Sequence, residues 1–198
     1  MDFESLRFIR HFQIVNCDNE DELVADEARM QACEFAGHQC QLTRGGILTY
    51  AVETERLIER ICSLYFVPRD LQLRERFQQI VLEPEFCSFS AKLKMLKSIA
   101  DVLELRKDCP SKSSLKDLME TRNKFAHGKI IVDWKTTKAS IRHYKDDLDA
   151  NTLADTFCEK YLSSRKELVK FITAVRVKCG AIEGDELNLN ETNTDRND

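Results

Sequence analysis

The stretch ILTYAVETERLIERICSLYF, residues 47–66, sets Ile47, Ala51, Ile58, Ile61, Cys62 and Tyr65 along one helical stripe, and Pro68 follows it. Apolar residues returning every three to four positions mark an amphipathic helix, and a proline just beyond marks its end. Towards the N-terminus, Gly45-Gly46 is expected to separate this helix from an earlier one over about 21–42. That helix would turn Val24, Ala28, Phe35 and Ala36 to one side. The first 16 residues fit neither period consistently: Phe8, Phe12 and Ile14 alternate, whereas Phe3, Leu6 and Ile9 are spaced for a helix.

Towards the C-terminus the same helical period recurs. A short helix is expected over about 70–82 with Leu73, Phe77, Ile80 and Val81, stopping before Pro84. Ser88 or Ser90 can cap a further helix over about 91–107, on the face of Leu93, Leu96, Ile99, Ala100 and Leu103, broken by Cys109-Pro110. Residues 114–127 make another. Ser114 with Asp117 resembles a capping box, and Gly128 suits a left-handed C-terminal stop. KIIVDW and ASIRHY then read as two strands joined near Lys135-Thr136-Thr137-Lys138. The last helix, over about 152–178, turns Leu153, Phe157, Tyr161, Leu168, Ile172 and Val175 inward. The expected fold is all-α: a mainly antiparallel bundle with a small β-hairpin before its last helix, one domain over residues 1–182. Residues 183–198 are expected to form a disordered acidic tail.

Of the 198 residues, 42% are apolar and 32% charged, an ordinary globular balance. No apolar run reaches the roughly 20 residues that span a bilayer, and the acidic start MDFESLRF is unlike a signal peptide. The chain is therefore expected to be cytoplasmic, with no membrane partner. Eight cysteines without a CxxC pair read as small buried hydrophobes in a reducing compartment. Cys33, His38 and Cys40 lack a fourth ligand and zinc-site spacing, so no metal and no cofactor are expected. The net charge of −4 is unevenly spread. Residues 1–90 hold nine Lys/Arg against sixteen Asp/Glu, while residues 91–145 hold fourteen against six. A basic middle between acidic ends suits a polyanion, though a solvated helix surface accounts for it equally well.

The chemistry sits on the 114–127 helix. At 100° per residue, Arg122 falls in the middle of the stripe formed by Leu115, Leu118, Met119, Phe125 and Ala126. A guanidinium there needs a buried carboxylate, such as Glu53 or Glu55, or else an open groove or a second subunit. Asn123 and His127, four residues apart, share a face on which the amide can orient the imidazole. Arg122 and His127 stand about 140° apart on an ideal helix, so they do not converge by stacking alone. Imidazole gains and loses a proton near neutrality, and a planar guanidinium holds phosphate through paired hydrogen bonds. Those two groups suffice for cleaving RNA through its own 2′-hydroxyl without a metal.

The segment METRNKFAHGK resembles the HEPN superfamily motif: an arginine, a polar residue directly after it, and a histidine four to six positions on at a helix end. Arg122, Asn123 and His127 occupy those positions. The SFSAKLKMLKSI helix is also similar to helices of that superfamily. The resemblance implies a helical bundle that pairs as a homodimer with its motifs facing each other. Many members are metal-independent ribonucleases of toxin–antitoxin, antiphage or RNA-processing systems, while others act only as interaction modules. The function it implies here is an endoribonuclease, a toxin or antiphage effector, with Arg122, His127 and Asn123 catalytic. RNA contacts would come from Lys124, Lys129, Lys135 and Arg142, and the partners would be RNA, a second copy and an antitoxin protein. The alternative is a silent dimerisation or adaptor module. Members silenced by nucleotidyltransferases carry a tyrosine two residues after the histidine, where Lys129 stands, which argues against such a partner. On the hairpin, Trp134 and Tyr144 either stack on single-stranded RNA or, as is commoner, pack the hairpin onto the bundle.

Overall fold

Helix formers dominate long tracts of the chain, and the computed structural model, which describes residues 12–17, 26–83, 86–144 and 146–181, contains five helices and four strands among them. In order they are β1 (Gln13–Val15), α1 (Glu27–Phe66), α2 (Leu71–Ile80), α3 (Phe89–Val102), α4 (Lys112–His127), β2 (Lys129–Asp133), β3 (Ala139–His143), β4 (Asp146–Asp149) and α5 (Ala150–Cys179). The expected hairpin is present as β2 and β3. The expectation of an all-α fold is corrected: the strands form one mixed sheet in the order β1-β2-β3-β4, with β1 parallel to β2 and the other pairs antiparallel. The acidic tail, the start of the 21–42 helix with Val24, and Pro84 lie outside the described residues. No helix among the described residues is long and apolar enough to cross a membrane.

The two helices expected on either side of Gly45-Gly46 are one helix. Cys33, Gly37, Cys40, Ile47, Ala51 and Thr54 are buried at alternating spacings of four and three, with Arg44 half-buried at the intervening position. The stripe keeps its phase through the glycines. Burying it outweighs the roughly 1 kcal/mol that each helical glycine costs. In the first part of α1 the inward face is therefore not the expected one, since Ala28 and Phe35 are exposed, whereas Ile47, Ala51, Ile58, Ile61 and Cys62 are buried as expected. On α2 the same reversal occurs, with Leu73, Ile80 and Val81 exposed.

The chain divides into two compact units. One comprises Met1–Glu55 and Pro110–Lys166, the other Arg56–Cys109 and Glu167–Asp198. In the second unit, Ser88 caps α3 by accepting from the Ala91 N–H, as the sequence allows. Arg74 is buried and donates to the Val67 and Pro68 carbonyls just past the end of α1. Lys92, 0% exposed, holds Glu59 at 2.5 Å. Burial pushes the Cys62 thiol up to about 12, so it stays protonated and packs as a hydrophobe. Cys33, Cys40, Cys62 and Cys87 are buried as expected, whereas Cys158 is exposed.

In the first unit the sheet carries Ile130, Val132, Ile141 and Leu148 on one face, and Lys129, Asp133, Arg142, Asp147 and Asp149 on the other. Trp134 is buried, donates its backbone N–H to Val15 and lies under the Arg29 guanidinium, so it packs the hairpin rather than offering a stacking surface. Three sheet carboxylates are held below the usual aspartate range. Asp133 accepts from Asn16 and Thr136, Asp147 from Arg142, and Asp149 from Thr152 at the start of α5. A lowered folded-state pKa stabilises the fold fully above the unfolded value, near ~3.9, and the gain is lost as pH falls through the folded values. The amide signals of Ile130 and Ile141 are therefore expected to shift before those of α1 on acidification below about pH 4. Simultaneous loss of both sets, unchanged in Asp147→Asn, would contradict this.

Candidate functional site

The site is assembled from the last turns of α4 and what touches them. Ser111, not Ser114, caps the helix: its Oγ accepts from the Ser114 N–H. Asp117, expected in a capping box, is bound instead by Lys160 of α5 at 2.7 Å. Leu115, Leu118 and Phe125 are buried, which fixes the rotation of α4 and leaves Arg122 half-buried among them.

Neither of the carboxylates expected for Arg122 holds it. Glu53 accepts from Tyr161 Oη at 2.5 Å and Arg165 Nε at 3.0 Å. Burial, together with the Glu53 carboxylate, pushes the Tyr161 phenol well above its usual range, so it remains a donor. Among the described residues, Arg122 pairs with no carboxylate. Its Nη1 donates to Asn123 Oδ1 at 3.0 Å. Asn123 is thus turned towards the arginine and not towards His127, as the helical spacing had suggested. His127 is exposed on the final turn, and no hydrogen bond joins it to Arg122 within the chain.

Gly128 does not end the helix in the left-handed conformation. Its φ of −73° and ψ of 151° are extended, and its N–H donates to Lys124 O at 2.8 Å. Glycine is needed for another reason: a Cβ there would collide with Ile141 Cγ2 and the Lys124 carbonyl. The helix end therefore lies directly on β3, and His127 is held at that junction. Gly128→Ala is expected to cost about 1–3 kcal/mol by overpacking. Urea unfolding measures it, and a loss below about 0.5 kcal/mol would mean the junction yields freely.

A contributor that the sequence reading did not single out is Arg44. From α1 its Nη2 donates to the Ala126 carbonyl at 2.6 Å. That carbonyl belongs to the helix terminus, where no intrahelical N–H remains to pair with it. The signal was available: position 44 continues the buried spacing 33, 37, 40, 47, 51, yet it is charged. Of the proposed RNA contacts, Lys124 is half-buried on α4, while Lys129 and Lys135 are exposed. Lys129 stands across from Arg142 on the sheet, and Arg142 is gripped by both oxygens of Asp147 at 2.7 and 2.8 Å. No cluster of His, Cys, Asp or Glu suited to a metal occurs among the described residues. Compared with known proteins, the chain matches no family model, no curated protein and no solved structure.

Proposed function

We propose that the chain is a metal-independent endoribonuclease of HEPN type, acting as a homodimer whose site combines Arg122 and His127 from two copies. The observation that carries this is Arg122. It is half-buried in an apolar helix face and its only described partner is a neutral amide. A half-buried guanidinium without a carboxylate favours an anion, and a phosphodiester fits its planar fork. His127, exposed five residues on, supplies the group that moves protons. The imidazole takes the proton of a 2′-hydroxyl, the 2′-oxygen bonds to phosphorus, and the bond from phosphorus to the 5′-oxygen breaks. That oxygen leaves as a hydroxyl once protonated, and a 2′,3′-cyclic phosphate remains. Arg122 offsets the charge on the non-bridging oxygens as it grows. A toxin or antiphage role in the cytoplasm, with an antitoxin protein as partner, is the setting this chemistry favours.

A second reading has its own support, because Arg122 and His127 do not meet within one chain. A silent dimerisation or adaptor module would need no such meeting. Purified chain incubated with single-stranded RNA and excess chelator separates the two. Cleavage leaving cyclic phosphate ends supports the ribonuclease; intact RNA, or cleavage that requires a divalent ion, supports the module or a different chemistry.

A further inference from the structure

The pairing of β2 with β3 continues to the end of α4. Lys129 stands across from Arg142, and Gly128 before it is extended, so His143 comes level with Gly128, one residue from His127. The approach is close: a Cβ on Gly128 would lie 3.3 Å from the Arg142 carbonyl. The path from His127 through Gly128 and across to His143 and Tyr144 keeps the two end Cα atoms within about 13 Å. The turn between β3 and β4 is thus a neighbour of the histidine proposed to move protons.

That turn carries a residue the fold does not ask for. His143 pairs with Asp146, so the connection is a two-residue hairpin turn. Left-handed positions in such turns suit asparagine, aspartate or glycine. Tyr144 occupies one, with a φ of 58°. Its ring is 90% exposed, so it does not pack the hairpin as Trp134 does. The ring of half-buried His143 meets it nearly at right angles, with centroids 4.3 Å apart and planes at 78°. Such a contact steadies the tyrosine ring and still leaves it open to solvent.

The surroundings decide what the ring would take. Among the described residues from 129 to 149 no other large apolar side chain is exposed, whereas a protein contact gathers several around its centre. The described residues of β3 and β4 offer phosphate little, because Asp147 takes up the charge of Arg142 and Asp146 adds a negative one. The cations stand on the last turns of α4 and just beyond it, as Arg122, Lys124 and Lys129. A lone aromatic beside a basic helix end suits a single strand of nucleic acid, whose bases stack on rings while its backbone follows the cations.

We propose that Tyr144 is a nucleobase subsite: an unpaired base of the RNA stacks on its ring while the adjoining phosphate lies at His127. The subsite deepens the ribonuclease reading and rests on it for the position of the cut. A base within a duplex has no free face to offer, so cleavage is confined to single-stranded stretches. Every base has such a face once unpaired, so the ring selects an unpaired nucleotide and not a particular base.

The test uses the full chain and a short oligoadenylate methylated on its 2′-oxygens, which binds but has no nucleophile for cleavage. Affinity is read by fluorescence anisotropy, with melting temperature as the control for folding. Tyr144→Asn is expected to weaken binding about 5–150-fold. Its melting temperature should be unchanged or higher, because asparagine suits the turn better. Tyr144→Phe keeps the ring and should bind as the wild type does. When single adenosines are replaced by abasic residues, one position should matter to the wild type and not to Tyr144→Asn. Unchanged affinity in Tyr144→Asn, a duplex bound as tightly as the single strand, or a wild type that binds no RNA would each overturn the subsite. So would a lower melting temperature in Tyr144→Asn without any position-specific abasic effect, which would mark the ring as structural. Cleavage of unmethylated RNA is read on the same proteins. Cleavage by Tyr144→Asn at the RNA concentration the wild type needs retires the subsite and keeps the ribonuclease. Position-specific binding by a wild type that leaves RNA intact does the reverse.

Discussion

His127→Ala is expected to lower RNA cleavage by about 10²–10⁴-fold, the range usual for losing a general acid or base. The chain should remain folded and dimeric, because His127 is exposed and pairs with nothing among the described residues. Arg122→Ala should remove most activity as well, and here the structure sharpens the expectation. Breaking a buried arginine–carboxylate pair costs about 3–5 kcal/mol. Arg122 is half-buried and donates to a neutral amide, so its loss should change stability far less than that. Arg122→Lys keeps the charge but not the fork and should restore little. Asn123→Ala removes an acceptor from Arg122 and should cost less than either. The measurement is the initial rate of cleavage in chelator beside a urea unfolding curve. Full activity in His127→Ala would end the proposed chemistry. A loss of several kcal/mol in Arg122→Ala would mark that residue as structural.

The largest stability effect is expected in the second unit. Lys92 is completely buried and meets Glu59 at 2.5 Å, with the Glu59 side chain 19% exposed. Glu59→Ala removes the carboxylate that the buried ammonium meets at 2.5 Å, and the expected cost is about 3–5 kcal/mol. Replacing both partners by apolar residues of similar volume, Lys92→Met with Glu59→Leu, should recover most of that loss. A buried pair of this kind adds little net stability over a well-packed apolar one. Thermal and urea unfolding of the two variants decide it. A Glu59→Ala protein within about 1 kcal/mol of the parent would mean that water or another group already carries the ammonium.

Long periodic tracts made most of the helices legible. Leu93, Leu96, Ile99 and Ala100 point into the core as their spacing requires, and so do Phe157, Tyr161, Leu168 and Val175. What misled was punctuation. Gly45-Gly46 reads as a stop, but a glycine inside a helix is only a modest penalty, and the phase of Cys33, Cys40, Ile47 and Ala51 across it was the stronger signal. The flanking strands were hidden for a different reason. Gln13–Val15 is too short to establish a period, and Asp146–Asp149 reads DDLD, whose charges suit a solvated sheet edge and not a buried strand. At the site, spacing brought out Arg122, Asn123 and His127 but not their pairing. Whether Asn123 faces the arginine or the histidine depends on side-chain rotation. The collision that makes Gly128 necessary involves Ile141, which lies on a different strand.

The parallel pairing of β1 with β2 also sets a timetable for synthesis. Gln13 must find Ile131, and Val15 must find Asp133, so the first strand emerges from the ribosome long before its neighbour exists. At the roughly 5–20 residues per second of translation, that interval is on the order of 6–24 seconds. Throughout it, Ile14 and Val15 have no sheet to join. The helix of Lys112–His127 comes out just ahead of β2, so the segment proposed to cut RNA and the strand that completes the sheet arrive almost together.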